Sequence, residues 1–120
     1  MDTALRKFKA EFFKALAHPG RIQIIECLRS GEKTVGEIQA FLADEPASAS
    51  QHLALLRAKG IVEGRKSGTS VFYQVCDPKI FELLDVAREI FNAHLIDTQE
   101  MLSQLAEEEQ ALAVSPSGRA

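Results

Sequence analysis

Residues 45–62, EPASASQHLALLRAKGIV, put two serines, a glutamine and a histidine directly ahead of a Leu-rich run that stops at Lys59-Gly60. Pro46 suits the first turn of a helix and Gly60 its end, so the stretch predicts one helix. On a helical wheel with Ser48 at the origin, Gln51, His52, Leu55 and Lys59 fall on the same side as Ser48. Ala49, Leu53, Leu56 and Gly60 fall on the other. One stripe is small and leucine-rich and suits packing. The other is polar, and its side chains can meet nucleic acid: Gln and His hydrogen-bond base edges, and Ser bonds bases or phosphate. Leu55 suits a thymine methyl. A polar stripe alone is usually a solvated face, so its surroundings decide the reading.

Upstream, TVGEIQAFL (34–42) predicts a short helix with Thr34 as its cap. Downstream, IVEGRKSGTSVFYQVC (61–76) is β-branched and aromatic around Ser67-Gly68, which predicts a hairpin. A short helix, a tight connection, a polar-faced helix and a basic hairpin make a helix-turn-helix with a wing, whose second helix enters the major groove. The candidate DNA-binding residues are Ser48, Ser50, Gln51, His52 and Lys59 on the helix, and Arg65, Lys66 and Thr69 on the wing, with Ser67 and Ser70 beside them.

Further out, TALRKFKAEFFKALA (3–17) spaces Leu5, Phe8, Phe12 and Leu16 as an amphipathic helix. HPGRIQIIECLRSG (18–31) predicts a second helix opened by Pro19, with Ile22, Ile25 and Leu28 as its buried stripe and Ile24 beside them. Residues 77–109 predict a long last helix with Ile80, Leu84, Ala87, Phe91, His94, Thr98, Met101 and Leu105 along one stripe. His94 on that stripe reads as an interface histidine, and His18 as helix-start structure. The fold expected is mainly α with a β-hairpin wing: residues 1–110 as one domain and 111–120 as a flexible tail.

With 46% apolar and 26% charged residues, the 120-residue chain reads as a single soluble domain, not a disordered one. No apolar run reaches the roughly 18–20 residues of a membrane span, and no signal-peptide core is evident, so a cytoplasmic protein is expected. The net charge of −3 conceals an asymmetry. Residues 1–76 carry 11 Lys/Arg against 8 Asp/Glu, whereas residues 77–120 carry 3 against 9. A basic head on an acidic body can still steer toward phosphate.

Taken together, ALAHPGRIQIIECLRSGEKTVGEIQAFL, ASASQHLALLRAKGIV and the wing GTSVFYQV resemble the ArsR/SmtB family of bacterial winged helix-turn-helix repressors over roughly residues 10–95. The resemblance implies a homodimer paired through the first and last helices, bound to a near-palindromic double-stranded operator and released by an effector. Two effector sites of that family are not matched. Where one has a Cys-Val-Cys-Asp-Leu pattern, this chain reads TVGEI, with Thr34 and Gly36 in place of the thiols. Of the family's last-helix zinc ligands only Asp77 is present; Lys79, Ile90 and Ala93 stand at the others, too few for zinc. No metal site and no cofactor are expected.

Cys27 and Cys76 remain as candidates for an effector or redox site. The family includes thiol sensors with one cysteine on the second helix and one on the last. Cys27 suits the first position, while Cys76 stands ahead of the second. Two other readings stay open: both are small buried hydrophobes, or both serve a metal or metalloid. An enzyme is not expected, because no CxxC pair, nucleophile–base constellation or glycine-rich phosphate loop occurs. The alternative of a winged-helix protein-interaction module is disfavoured by the polar, Lys-bearing helix face, since such interfaces favour aromatics and Met.

Overall fold

A computed structural model describes residues 3–42 and 45–113. The described residues form two units that divide between Phe81 and Glu82.

In the first unit, α1 (Thr3–Leu16) leads into α2 (Pro19–Cys27), β1 (Lys33–Thr34), α3 (Val35–Phe41) and α4 (Ala49–Ala58). The hairpin β2 (Val62–Ser67) and β3 (Ser70–Val75) follows. The local signals are explicit. His18 caps α2, its Nδ1 accepting from the Gly20 amide at 2.9 Å, and Pro19 fills the first turn, where its missing N–H costs nothing. Thr34 and Glu37 form a reciprocal capping box on α3. Gly60, at φ 71°, ends α4, and the Ile61 amide donates back to the Leu56 carbonyl at 2.9 Å.

The core is Ile24 and Ile25 from α2, Ile38 from α3, Leu53 and Leu56 from α4, and Val62 from β2. Along α2 and the turn after it, it is Ile24, not Ile22, that joins Ile25 and Leu28 inside; Ile22 is exposed. On α1 only the C-terminal end is buried, at Ala15 and Leu16, while Leu5, Phe8 and Phe13 are exposed.

The wing carries a third strand absent from the sequence reading. β1 pairs antiparallel with β3, so the sheet order is β1-β3-β2. Ser67 opposes Ser70 across a two-residue loop, Gly68-Thr69. Gly68 has φ 63°, a conformation glycine adopts freely at the first central position of a hairpin loop.

The second unit is the rest of α5 (Lys79–Ala113), a helix of 35 residues. It runs past residue 110, where the domain was expected to end; the remainder of the anticipated tail, 114–120, lies outside the described residues. Val86, Ile90, Phe91, Leu95, Ile96, Met101, Leu102, Leu105 and Leu112 are all exposed along it. Among the described residues no helix is long and apolar enough to cross a membrane.

Candidate nucleic-acid interface

α4 is held by one face and presents the other. Ala49, His52, Leu53 and Leu56, spaced three, one and three apart, are buried. Ser50, Gln51, Ala54, Leu55, Arg57 and Ala58 are exposed. Pro46–Ser48 is a separate 3₁₀ turn ahead of the helix, so Ser48 is its flank and not its first turn. The Ser48 hydroxyl donates to the Glu45 carbonyl at 2.8 Å.

Three expected contact residues are engaged elsewhere. His52 is 8% exposed and packs against α2, its ring 4.4 Å from that of His18. A Cβ built on Gly20 would stand 2.8 Å from His52 Nε2, so the two elements touch there without room for a side chain. His52 Nε2 has no hydrogen-bond partner among the described residues. Burial, then His18 and Arg21, push the His52 pKa down, against an opposing pull from Glu45. This histidine sits at the boundary between the two stripes of the wheel; its polarity placed it outside, and packing places it inside. Lys59 Nζ lies 3.5 Å from Glu11 Oε2 of α1. Arg65 forks onto Glu32.

The remaining candidates lie at the surface. Ser50 and Gln51 are exposed on α4, and Lys66 and Thr69 are exposed at the wing tip. Arg57 is a further cation on α4, one that the candidate contact residues did not include. It is exposed and makes no ion pair among the described residues. With Ser50, Leu53, Ala54, Ala58 and Tyr73 it lines an open groove of about 360 Å³ between α4 and β3. The 49/52/53/56 spacing was the signal that would have found it, because that stripe turns Arg57 outward beside Ser50.

The cysteines differ in setting. Cys27 is buried at the end of α2, and burial pushes its thiol up. Cys76 is exposed just after β3, its Sγ 4.0 Å from Glu63 Oε2, and burial followed by that carboxylate pushes its thiol up as well. Among the described residues there is no group of three or more His, Cys, Asp or Glu arranged to hold a metal.

Residues 18–64 match the family description of a bacterial regulatory protein, arsR family. The chain is 42% identical over 102 residues to the HTH-type transcriptional regulator Rv0081 of Mycobacterium tuberculosis, covering 84% of this chain and 90% of that one. The crystal structure of Rv0081 superposes with a TM-score of 0.72 at 43% identity, over 78% of this chain and 95% of the other. The biofilm growth-associated repressor of Agrobacterium fabrum is 37% identical over 84 residues, 70% of this chain and 72% of the relative. The solution structure of Mb0332 from Mycobacterium bovis, a homodimeric winged helix-turn-helix DNA-binding domain, matches with a TM-score of 0.69 at 31% identity, over 78% of this chain and 87% of that one.

Proposed function

This chain belongs to the arsR family of bacterial transcriptional regulators, and on that basis we propose that it is a homodimeric repressor that reads double-stranded operator DNA with α4 and the wing and is released by an effector. The observation that carries the reading is the split of α4. Its inner face is anchored in the core at Leu53 and Leu56, while Ser50, Gln51 and Arg57 are exposed, Ser50 and Arg57 beside β3 of the wing. Gln pairs with adenine and Arg with guanine through two hydrogen bonds each in the major groove. Lys66 and Thr69 at the wing tip reach phosphate.

The homodimer is supported by exposed apolar side chains on both terminal helices. Phe8 on α1 and Phe91, Leu95, Leu102 and Leu105 on α5 are more than half exposed. Exposed apolar stripes of this kind mark interaction sites. Paired copies present two α4 helices to successive major grooves. The acidic C-terminal third repels phosphate, which favours DNA at the basic head. Counterion release makes the binding fall with salt.

Release through Cys27 and Cys76 finds little support in their setting: Cys27 is buried, and Cys76 stands beside the Glu63 carboxylate, so neither surrounding favours the reactive thiolate. The test is fluorescence anisotropy of the full chain on a labelled duplex taken from upstream of its own coding sequence, with and without inorganic polysulfide. Reduced protein is expected to bind, with affinity that falls as salt rises, and polysulfide is expected to leave binding unchanged. Release by polysulfide that Cys27→Ser or Cys76→Ser abolishes would make the thiols the sensor. Binding without any salt dependence would remove the phosphate contacts from the proposal.

A further inference from the structure

Arg65 stands midway along β2, level with Phe72 of β3, and Phe72 is level with Thr34 of β1. Residues level across a sheet share a face, so the three form one row over all three strands. The guanidinium of Arg65 lies over the Phe72 ring, 5.2 Å from its centroid. Its edge then forks onto Glu32, with Nη2 donating to Oε1 at 2.5 Å and Nε to Oε2 at 3.4 Å. Glu32 immediately precedes β1, and Thr34 at the far end of the row is the cap that opens α3. One side chain therefore ties the outer strand of the wing to the segment that starts the first helix of the helix-turn-helix.

The wing needs such a tie. A two-stranded hairpin is marginal by itself, and the strand joining it to the body, β1, has only two residues. Val62 is buried at the base of β2, but every residue from Arg65 to Thr69 is exposed. A hairpin tip left free to swing must be ordered when DNA binds, and that ordering subtracts from affinity.

We propose that Glu32 is a positioning residue for DNA binding: it clamps Arg65 across the sheet and so presents Lys66 and Thr69 in a fixed orientation. Arg65 is then a strut, its charge met by a carboxylate, and not a phosphate ligand. This role rests on the DNA-binding reading above, and the test separates the two.

The probe is a fluorescein-labelled duplex enriched by wild-type protein from a randomised pool, titrated with the full chain over a range of NaCl concentrations. Glu32→Gln and Arg65→Gln are each expected to weaken binding about two- to fivefold, the scale of one exposed ion pair. The double variant is expected to be no weaker than either single one, because the two residues act through one contact. The exchanged pair, Glu32→Arg with Arg65→Glu, is expected to recover most of the loss, and Arg65→Gln to leave the salt slope unchanged. The clamp is overturned if Arg65→Gln lowers that slope by about 0.9 per protomer, the signature of one lost phosphate contact, or if the exchanged pair binds worse than both single variants. It is also overturned if Glu32→Gln tightens binding. A wild-type protein that enriches no duplex would remove the DNA-binding reading, and the clamp's role with it.

Discussion

A Gln51→Ala, Arg57→Ala double variant is expected to bind the duplex enriched by wild-type protein about 100-fold more weakly, while its melting temperature stays within a few degrees. Each side chain, paired through two hydrogen bonds to a base, contributes roughly 1–3 kcal/mol of discrimination, and both are exposed on α4. Neither is part of the core, and substitutions at such surface positions usually change stability by no more than about 0.5 kcal/mol. Lys59→Ala is the control. Its ammonium lies 3.5 Å from Glu11, so its loss should change affinity little. Anisotropy titrations and thermal melts on the same preparations check both halves. Strong loss at Lys59 with none at Gln51 and Arg57 would mean that a different face of α4 meets the DNA.

Acidification is expected to weaken the fold through His52. In the folded protein its pKa is pushed down, first by burial, while the unfolded chain titrates near the ordinary value of about 6.5. Above that value both states are neutral and the contribution is complete. Below it the unfolded chain gains a proton that the folded one refuses. Stability then falls by at most about 1.4 kcal/mol per pH unit until the folded imidazole also titrates. The groups around the ring explain the refusal. His18 lies against it, Arg21 repels a second positive charge, Gly20 leaves no room beside Nε2, and only Glu45 favours protonation. Urea unfolding between about pH 7.5 and 5.5 should show the loss in wild type and a flatter profile in His52→Gln and His52→Leu. An unchanged slope in both variants would assign the acid sensitivity to other groups.

The architecture was legible because its signals are local. Thr34 with Glu37, Pro19 after His18, Gly60 after the Leu-rich run, and Gly68 between two β-branched stretches each mark a boundary within a few residues. β1 escaped notice because two residues carry no periodicity, and its pairing with β3 is a long-range fact. The candidate site was legible only in part, for the same reason. Ser50, Gln51, Lys66 and Thr69 lie at the surface. Lys59 and Arg65 were counted as free cations, yet each meets a carboxylate far away in sequence, Glu11 and Glu32. His52 was read by its chemistry when the spacing of Ala49, Leu53 and Leu56 already claimed it for the interior. The same spacing turned Arg57 outward.

The central claim is that α4 and the wing read specific double-stranded DNA as a symmetric pair. Selection from a randomised duplex pool by the 120-residue chain, followed by sequencing of the bound fraction, tests it most directly. An inverted repeat with half-sites about one helical turn apart is the predicted result, since two copies related by a two-fold axis place their α4 helices in successive major grooves. A pool that stays random after repeated rounds would contradict it.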